Sequence, residues 1–170
     1  MAEPKTNAQR ILEREKIAYK AHSYDASDGH IDGVAVAQKV GLPAERVYKT
    51  LVTRGASKAL YVFVIPVAEE LDLKAAAKSV KEKSVSMIAV KELLPLTGYI
   101  RGGCSPVGMK KRLPTVIDST ANEHMAIAVS AGRIGTQAEL SPDDLVKVTG
   151  AIFADVIQHN QTQEEDIQKW

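Results

Sequence analysis

Hydrophobic and polar residues repeat along the chain with two different periods, which predict a mixture of helices and strands. Apolar residues at helical spacing follow the capping residue Thr6 and predict a first helix over residues 7–16. Two segments rich in β-branched residues, 47–53 and 59–66, flank the turn sequence at 55–58. This second pattern is typical of a β-hairpin.

The same two patterns continue to the end of the chain. Further helices are predicted at residues 34–40, 72–80, 91–94 and from Pro142 onward, where Ser141 is the capping residue. Further strands are predicted at residues 18–24, 85–88, 115–118, 125–130, 136–140 and 151–156.

The order of these elements predicts an α+β fold. Hairpins give antiparallel pairs and helical crossovers give parallel pairs, so we expect a curved mixed β-sheet closing into a barrel with flanking helices. Residues 1–157 are predicted to form a single domain, and residues 158–170 a polar C-terminal tail.

Composition narrows the class of protein. With 45% hydrophobic and 25% charged residues, the 170-residue chain resembles a soluble globular domain. Its net charge of +1 is too balanced to indicate nucleic-acid binding, so any RNA contact must come from a local patch. We find neither a signal peptide nor an apolar run of the roughly 18 residues needed to cross a membrane. We therefore expect a cytoplasmic protein without a membrane or DNA partner.

The segment GYIRGGCSPVGMKK, residues 98–111, stands out because it holds four glycines within eleven positions. Glycine leaves the backbone N–H groups accessible, and successive N–H groups can bind an anion or the oxyanion of a transition state. Lys110 and Lys111 add positive charge. The plainer interpretation is a tight turn with a solvated basic end, and the residues alone favour it.

Lys49 is the second candidate. Strand alternation places it on the same face as Val47 and Leu51, which is unusual for a charged side chain. Such a lysine could bind a phosphate or a carbonyl in a pocket, or it could protect an edge strand from aggregation. The sequence does not separate these two interpretations.

The single cysteine, Cys104, excludes an internal disulfide. Its place in the glycine-rich segment, among basic residues, makes it a candidate nucleophile, but no sequence signature identifies a histidine base for it. No metal and no cofactor is expected, because the four histidines lack metal-ligand spacing and no acidic cluster completes a set. They are His22, His30, His124 and His159.

Five segments resemble, in order, the YbaK/EbsC family, whose members are single-domain relatives of the editing domain inserted in bacterial prolyl-tRNA synthetases. The similar segments are VYKTLV at 47–52, DLKAAAK at 72–78, GYIRGGCSPVGMKK at 98–111, VIDS at 116–119 and VSAG at 129–132. The resemblance spans residues 6–156. It implies the barrel with flanking helices and a metal-free aminoacyl-tRNA deacylase that acts on mischarged tRNA(Pro), chiefly Cys-tRNA(Pro), with Cys-tRNA(Cys) as a further substrate.

The resemblance also implies roles for individual residues. Lys49, Gly102 and Gly103 match the family's functional lysine and the glycine pair that faces the scissile ester, and are the predicted catalytic residues. The predicted substrate-binding residues are Tyr24, Ser105, Pro106, Gly108 and Ser130. Cys104 stands where the family commonly has an aliphatic residue, which indicates packing. Ala131 replaces a frequent glycine, which leaves the contribution of Ser130 open.

No side chain is a convincing general base, and the resemblance implies that the thiol of the substrate attacks its own carbonyl and leaves as a cyclic thiolactone. The N–H groups of Gly102 and Gly103 would stabilise the oxyanion, and Lys49 would orient the terminal adenosine or its phosphate. The expected partners are aminoacyl-tRNA and prolyl-tRNA synthetase. Two alternatives stay open: water attack on Ala-tRNA(Pro) or another mischarged tRNA, and a non-catalytic tRNA-binding module.

Overall fold

The computed structural model describes residues 4–159, which form five α-helices and eight β-strands. The helices are α1 (Asn7–Arg14), α2 (Gly33–Val40), α3 (Leu73–Ser79), α4 (Val90–Thr97) and α5 (Pro142–Thr149). The strands are β1 (Lys20–Ser23), β2 (Tyr48–Gly55), β3 (Leu60–Pro66), β4 (Val85–Met87), β5 (Thr115–Asp118), β6 (Ile127–Arg133), β7 (Thr136–Leu140) and β8 (Ile152–Ala154). The predicted polar tail lies, from residue 160 onward, outside the described residues.

Local capping explains where the predicted helices begin. Thr6 Oγ1 accepts a hydrogen bond from the Gln9 backbone at 3.1 Å, and the Gln9 side chain accepts one from the Thr6 backbone at 2.9 Å. Asp72 and Ser141 cap α3 and α5 in the same way, with Pro142 in the first position of α5.

The strands form two sheets. The smaller sheet is antiparallel, with the order β1-β7-β6. The larger sheet is mixed, with the order β4-β2-β3-β5-β8: β2 pairs antiparallel with β3 and β4, whereas the β3–β5 and β5–β8 pairs are parallel. The β2–β3 pair confirms the predicted hairpin.

The predicted barrel is wrong. Within residues 4–159 neither sheet closes on itself, because the short edge strands β4 and β8 lie at opposite edges of the larger sheet and do not pair. A single parallel bridge between Val47 and Ala128 joins the two sheets. Farther along, β2 pairs with β4 at residues 53–55 and not with the smaller sheet. The α+β class is retained.

The larger sheet is buried on both faces. In β3, Val62 and Val64 belong to a core that also contains residues of α1, α5 and β6, whereas Phe63 and Ile65 belong to a second core under α3. This two-sided burial explains why residues 60–66 form a nearly continuous apolar run rather than an alternating one.

A buried carboxylate connects three strands of the larger sheet. Asp118, at the end of β5, is 0% exposed. Its Oδ1 accepts from the Val156 backbone N–H at 2.9 Å, and its Oδ2 accepts from the Thr120 backbone at 3.2 Å and the Thr120 hydroxyl at 2.6 Å. Since that hydroxyl donates to Asp118, it accepts the proton of Tyr48 OH, which lies 2.7 Å away. Burial raises the pKa of Tyr48 to about 12, so the phenol keeps this proton at neutral pH.

Replacing Asp118 tests how much this hydrogen-bond network contributes to the stability of the fold. We expect Asp118→Ala to lower the free energy of unfolding by about 3 kcal/mol, because two buried backbone donors lose their acceptor. Urea denaturation at pH 7 measures the effect. The control is Asp143→Ala on the exposed side of α5, which should cost less than about 1 kcal/mol. Equal losses in the two variants would show that the network does not hold the strands.

Candidate active site at the junction of the sheets

A cavity of about 690 Å³ lies where the two sheets meet. Val47 and the first four residues of β2 line it on one side, and residues 29–34, from the loop before α2 and the first turn of that helix, line it on another. The other lining residues are Val36, Val67, Arg101, Gly102, Cys104, Ser130 and Gln137. The cavity is large enough for a small organic group with several polar contacts.

Three of the eight predicted site residues line this cavity: Lys49, Gly102 and Ser130. The structure does not bring the other five to its lining. They are Tyr24, Gly103, Ser105, Pro106 and Gly108. Gly103 is nonetheless adjacent, because it directly follows Gly102 in the loop.

Close neighbours leave little space for a side chain at Gly102 and Gly103. Gly102 has a φ of +86°, and a Cβ there would lie 3.1 Å from Ile31 Cδ1. A Cβ on Gly103 would lie 3.0 Å from the backbone nitrogen of Ile134, so the loop packs directly on the β6–β7 turn. The Gly103 N–H already donates to the Ile100 carbonyl at 3.0 Å. Within residues 4–159 the Gly102 N–H has no such partner, so of the two it is the one available to a ligand in the cavity.

The second half of the glycine-rich segment is held by structural contacts. Ser105 is 1% exposed, and its Oγ accepts from the Val107 N–H at 3.2 Å. The Val107 carbonyl accepts from Tyr99 OH at 2.6 Å, and the Gly108 carbonyl accepts from the Asn7 side chain at 3.1 Å. These contacts fix the loop against α1 and leave the segment around Gly102 to face the cavity.

Lys49 projects from β2 at the cavity, opposite Ile65 in the β2–β3 register. Its side chain is half-buried and, within residues 4–159, makes no ion pair or hydrogen bond. An ammonium group in this position can bind an anion or a carbonyl oxygen of a ligand. This placement favours the pocket interpretation over an exposed edge-strand lysine.

Two polar residues of the cavity were missed by the sequence reasoning. Thr50 Oγ1 and Gln137 Oε1 are buried and have no hydrogen-bond partner among the described residues. Leaving such a group unpaired costs about 1–3 kcal/mol, so both atoms are suited to contact a ligand. Tyr24 OH is unpaired in the same way, although Tyr24 does not line the cavity. A polar residue inside a strand is too weak a sequence signal to single out Thr50 or Gln137.

Ser130 sits at an irregularity of β6. Its Oγ accepts from the Gly132 N–H at 3.2 Å, and the β6–β7 register shifts between Ser130 and Arg133. Such a β-bulge bends the strand and redirects its side chains. Ser130, at the start of this irregularity, lines the cavity.

Residues 4–159 contain neither a metal-binding cluster nor a helix that could span a membrane. No group of three or more His, Cys, Asp and Glu side chains is arranged to hold a metal ion. No helix in this part of the chain has the length and apolar character that crossing a bilayer requires.

Comparison with known proteins identifies the family. The sequence pattern of the aminoacyl-tRNA editing domain matches residues 32–148. A protein of Enterococcus faecalis, provisionally named Cys-tRNA(Pro)/Cys-tRNA(Cys) deacylase EbsC, is 45% identical over 152 residues, which cover 89% of this chain and 93% of that protein.

Similarity to solved structures supports the same family. A crystal structure described as a proposed trans-editing enzyme for prolyl-tRNA synthetase is 25% identical, with a TM-score of 0.78 over 92% of this chain and 100% of that one. A hypothetical protein of known structure has the same fold, with a TM-score of 0.82, 23% identity, and coverage of 90% of this chain and 100% of that one. The predicted family and the predicted enzyme class, an aminoacyl-tRNA deacylase, are thus confirmed: the chain belongs to the aminoacyl-tRNA editing domain family.

Proposed function

We propose that this protein removes cysteine from mischarged Cys-tRNA(Pro), and from Cys-tRNA(Cys), by cleaving the aminoacyl ester in the cavity between the sheets. The observation that carries the proposal is the set of unpaired polar groups in the cavity: the Lys49 ammonium, the Gly102 N–H, Thr50 Oγ1 and Gln137 Oε1. The identity of 45% with a protein provisionally named for this activity supports it.

The polar groups of the cavity fit cleavage of an ester. The Gly102 N–H donates to the carbonyl oxygen as it becomes negative, and Lys49 binds the terminal adenosine or its phosphate. Thr50 and Gln137 bind the polar groups of the aminoacyl moiety. An aminoacyl ester is already activated, so positioning and electrostatic stabilisation suffice for catalysis.

The nucleophile is the thiol of the substrate. Its sulfur attacks the carbonyl carbon of the same cysteinyl group, the ester C–O bond breaks, and the thiol proton passes to the departing ribose oxygen. The products are a cyclic thiolactone and free tRNA. Among the described residues that line the cavity, none is a better nucleophile or base: Asp32 accepts from the Ala35 N–H at 3.2 Å as the cap of α2, and His30 is exposed.

Cys104 lines the cavity but is not suited to attack. It is 7% exposed, and burial raises the pKa of its thiol to about 12. The thiol is therefore protonated throughout the physiological range, and the thiolate is the reactive species.

Prolyl-tRNA synthetase is the proposed source of the mischarged tRNA and a partner in its transfer. Cysteine and proline are similar in size, so a synthetase discriminates poorly between them and a second site must remove the error. The likeness to a structure described as a proposed trans-editing enzyme for that synthetase supports this partner.

The wall of the cavity depends on one lysine of α2. Lys39 Nζ donates to the Asp25 carbonyl at 2.7 Å, to Asp28 Oδ1 at 2.7 Å and to the His30 carbonyl at 2.9 Å, which satisfies all three of its protons. These bonds fold the loop that carries residues 29–33 to the cavity. We call these three bonds the Lys39 clip. The bond to Lys39 lowers the pKa of Asp28, so the Lys39–Asp28 bond of the clip is intact above the ordinary aspartate pKa and is lost as pH falls through the lowered value, whereas the two bonds to backbone carbonyls do not depend on Asp28.

A substrate panel tests the proposed reaction. We expect Lys49→Ala to lower kcat/KM on Cys-tRNA(Pro) at least tenfold, about 1.4 kcal/mol of transition-state stabilisation, whereas the exposed control Lys147→Ala changes it less than twofold. Ser-tRNA(Pro) and Ala-tRNA(Pro) should resist cleavage because they have no thiol. The protein would instead use water attack if it cleaved Ser-tRNA(Pro) and Ala-tRNA(Pro) as fast as Cys-tRNA(Pro). Loss of activity in His30→Asn would then identify His30 as the base that activates the water.

Replacing Cys104 tests whether the protein supplies a nucleophile. We expect Cys104→Ala to keep kcat/KM on Cys-tRNA(Pro) within about threefold, a change attributable to packing. In the wild-type protein, a disulfide reagent such as DTNB should label Cys104 slowly when the protein is native and rapidly after denaturation, because burial keeps the thiol neutral. Complete loss of activity in the alanine variant, with rapid native labelling, would contradict the substrate-thiol mechanism.

Removing the clip tests the role of Lys39. In Lys39→Met we expect backbone amides of residues 25–33 to exchange hydrogen about tenfold faster, and KM for Cys-tRNA(Pro) to rise, since the charge-assisted bonds that order the loop are gone. Mass-spectrometric hydrogen exchange measures the first effect. Lys147→Met is the matched control. Unchanged exchange in the loop would mean that other contacts hold it.

A further inference from the structure

We infer that a row of lysines along α3 binds the acceptor-stem phosphates of the tRNA whose 3′ end enters the cavity. This inference rests on the proposed function and extends it to a second surface. We call Lys74, Lys78, Lys81 and Lys83 the lysine track.

The track lines a groove of about 480 Å³. Lys74, Lys78 and Lys81 follow one another at intervals of four and three residues, which places side chains on one side of a helix and its last turn. All four lysines are exposed, and within residues 4–159 none has a carboxylate close enough for an ion pair. Their charge is therefore available to an external anion.

The one acidic residue in the groove is already engaged. The Glu82 carboxylate accepts from the Ser57 N–H at 3.1 Å and from Tyr61 OH at 2.6 Å, and so points to the β2–β3 hairpin. These bonds also bring the loop after α3 against that hairpin. The groove consequently presents four lysines of one sign along a continuous surface.

The track leads away from the cavity. Leu51 lines the cavity and packs against the core that contains Ala77 of α3, so α3 and the cavity share one face of the larger sheet. The Asp72 N–H donates to the Val156 carbonyl, so α3 begins at the same end of the larger sheet as Tyr48, which lines the cavity. The helix ends beside β4, where Val85 pairs with Gly55.

The length of this path suits RNA. Gly55 lies six positions after Lys49 in β2, which corresponds to roughly 20 Å. At about 3.4 Å per nucleotide along one strand, the path spans roughly six nucleotides, enough to pass an unpaired 3′ end and reach the stem. With a net charge of +1, the protein can attract RNA only through such a local concentration of charge.

Lys81 has an unusual backbone for a lysine. Its φ is +60°, and the Glu82 N–H donates to the Ala77 carbonyl at 2.9 Å, which completes a Schellman motif at a position that favours glycine. Lys16 ends α1 with the same geometry, with a φ of +59° and a bond of 2.9 Å from the Ile17 N–H to the Leu12 carbonyl. A left-handed lysine is therefore not specific to the track. Lys16 nevertheless provides a matched control, because α1 packs on the opposite face of the larger sheet.

The test compares two variants that lose the same charge. One carries Lys74→Gln, Lys78→Gln and Lys81→Gln, and the control carries Lys16→Gln, Lys20→Gln and Lys147→Gln, all at exposed positions. Fluorescence anisotropy with deacylated tRNA(Pro), which carries no amino acid, measures affinity over a range of salt concentrations. We expect the track variant to bind at least tenfold more weakly at low salt and to reduce the slope of log K against log salt by about 2, with less than a twofold change in affinity for the control. Equal effects in the two variants, or none in either, would overturn the inference.

Two further measurements separate the track from folding and from the proposed function. Lys81→Gly and Lys16→Gly both relieve a left-handed backbone and should both raise Tm, but only Lys81→Gly should weaken tRNA binding. The cysteine ester of a CCA trinucleotide spans only about 10 Å and reaches at most the Lys74 end of the track, so the track variant should cleave it within about twofold of the wild-type rate while losing activity on full-length Cys-tRNA(Pro).

Failure of the wild-type protein to cleave either ester would refute the proposed function. The comparison of binding affinities would still show whether the lysine track binds tRNA. A track variant that keeps its affinity for tRNA but loses affinity for prolyl-tRNA synthetase would show that the surface binds protein, and the RNA inference would be wrong.

Discussion

The backbone bridge between Val47 and Ala128 is the constraint on which the site depends. It is the one backbone bridge between the two sheets in residues 4–159, and farther along β2 the strand pairs with β4 of the larger sheet instead. The cavity occupies the space that opens beside this bridge. Its polar groups consequently come from both sheets, with Lys49 on one and Gln137 on the other. A closed barrel would fill this space with side chains instead.

The strands and the loops of the site have different physical properties. The strands are rigid because the larger sheet is covered on both faces and Asp118 ties β5 to the chain beyond β8. The loops depend on a few polar contacts, chiefly the three bonds of Lys39 and the packing of Gly103 on the β6–β7 turn. Three of the four groups proposed to contact the substrate, those of Lys49, Thr50 and Gln137, are thus on strands, whereas much of the cavity wall is loop.

Local features of the sequence predicted the helices well, because a cap such as Thr6 or Asp72 acts within three residues. Sheet closure was predicted wrongly, since the pairing of strand edges depends on residues far apart in the chain. The family resemblance indicated Lys49 and Gly102, which the structure places in the cavity. It could not indicate Thr50, whose significance is that it is buried without a partner, a property of the folded chain alone.

The proposed mechanism makes selectivity a matter of chemistry more than of shape. Proline and cysteine are similar in size, and a pocket distinguishes such side chains by only about 1–3 kcal/mol. Cys104 is protonated and the Asp32 carboxylate caps a helix, so neither activates water well, and under this mechanism an ester is cleaved rapidly only when the substrate carries its own nucleophile. Prolyl-tRNA(Pro) has no thiol, so it would be spared even when it enters the cavity. Under the proposed mechanism, the lack of an activating base among the described cavity residues is what would protect prolyl-tRNA(Pro).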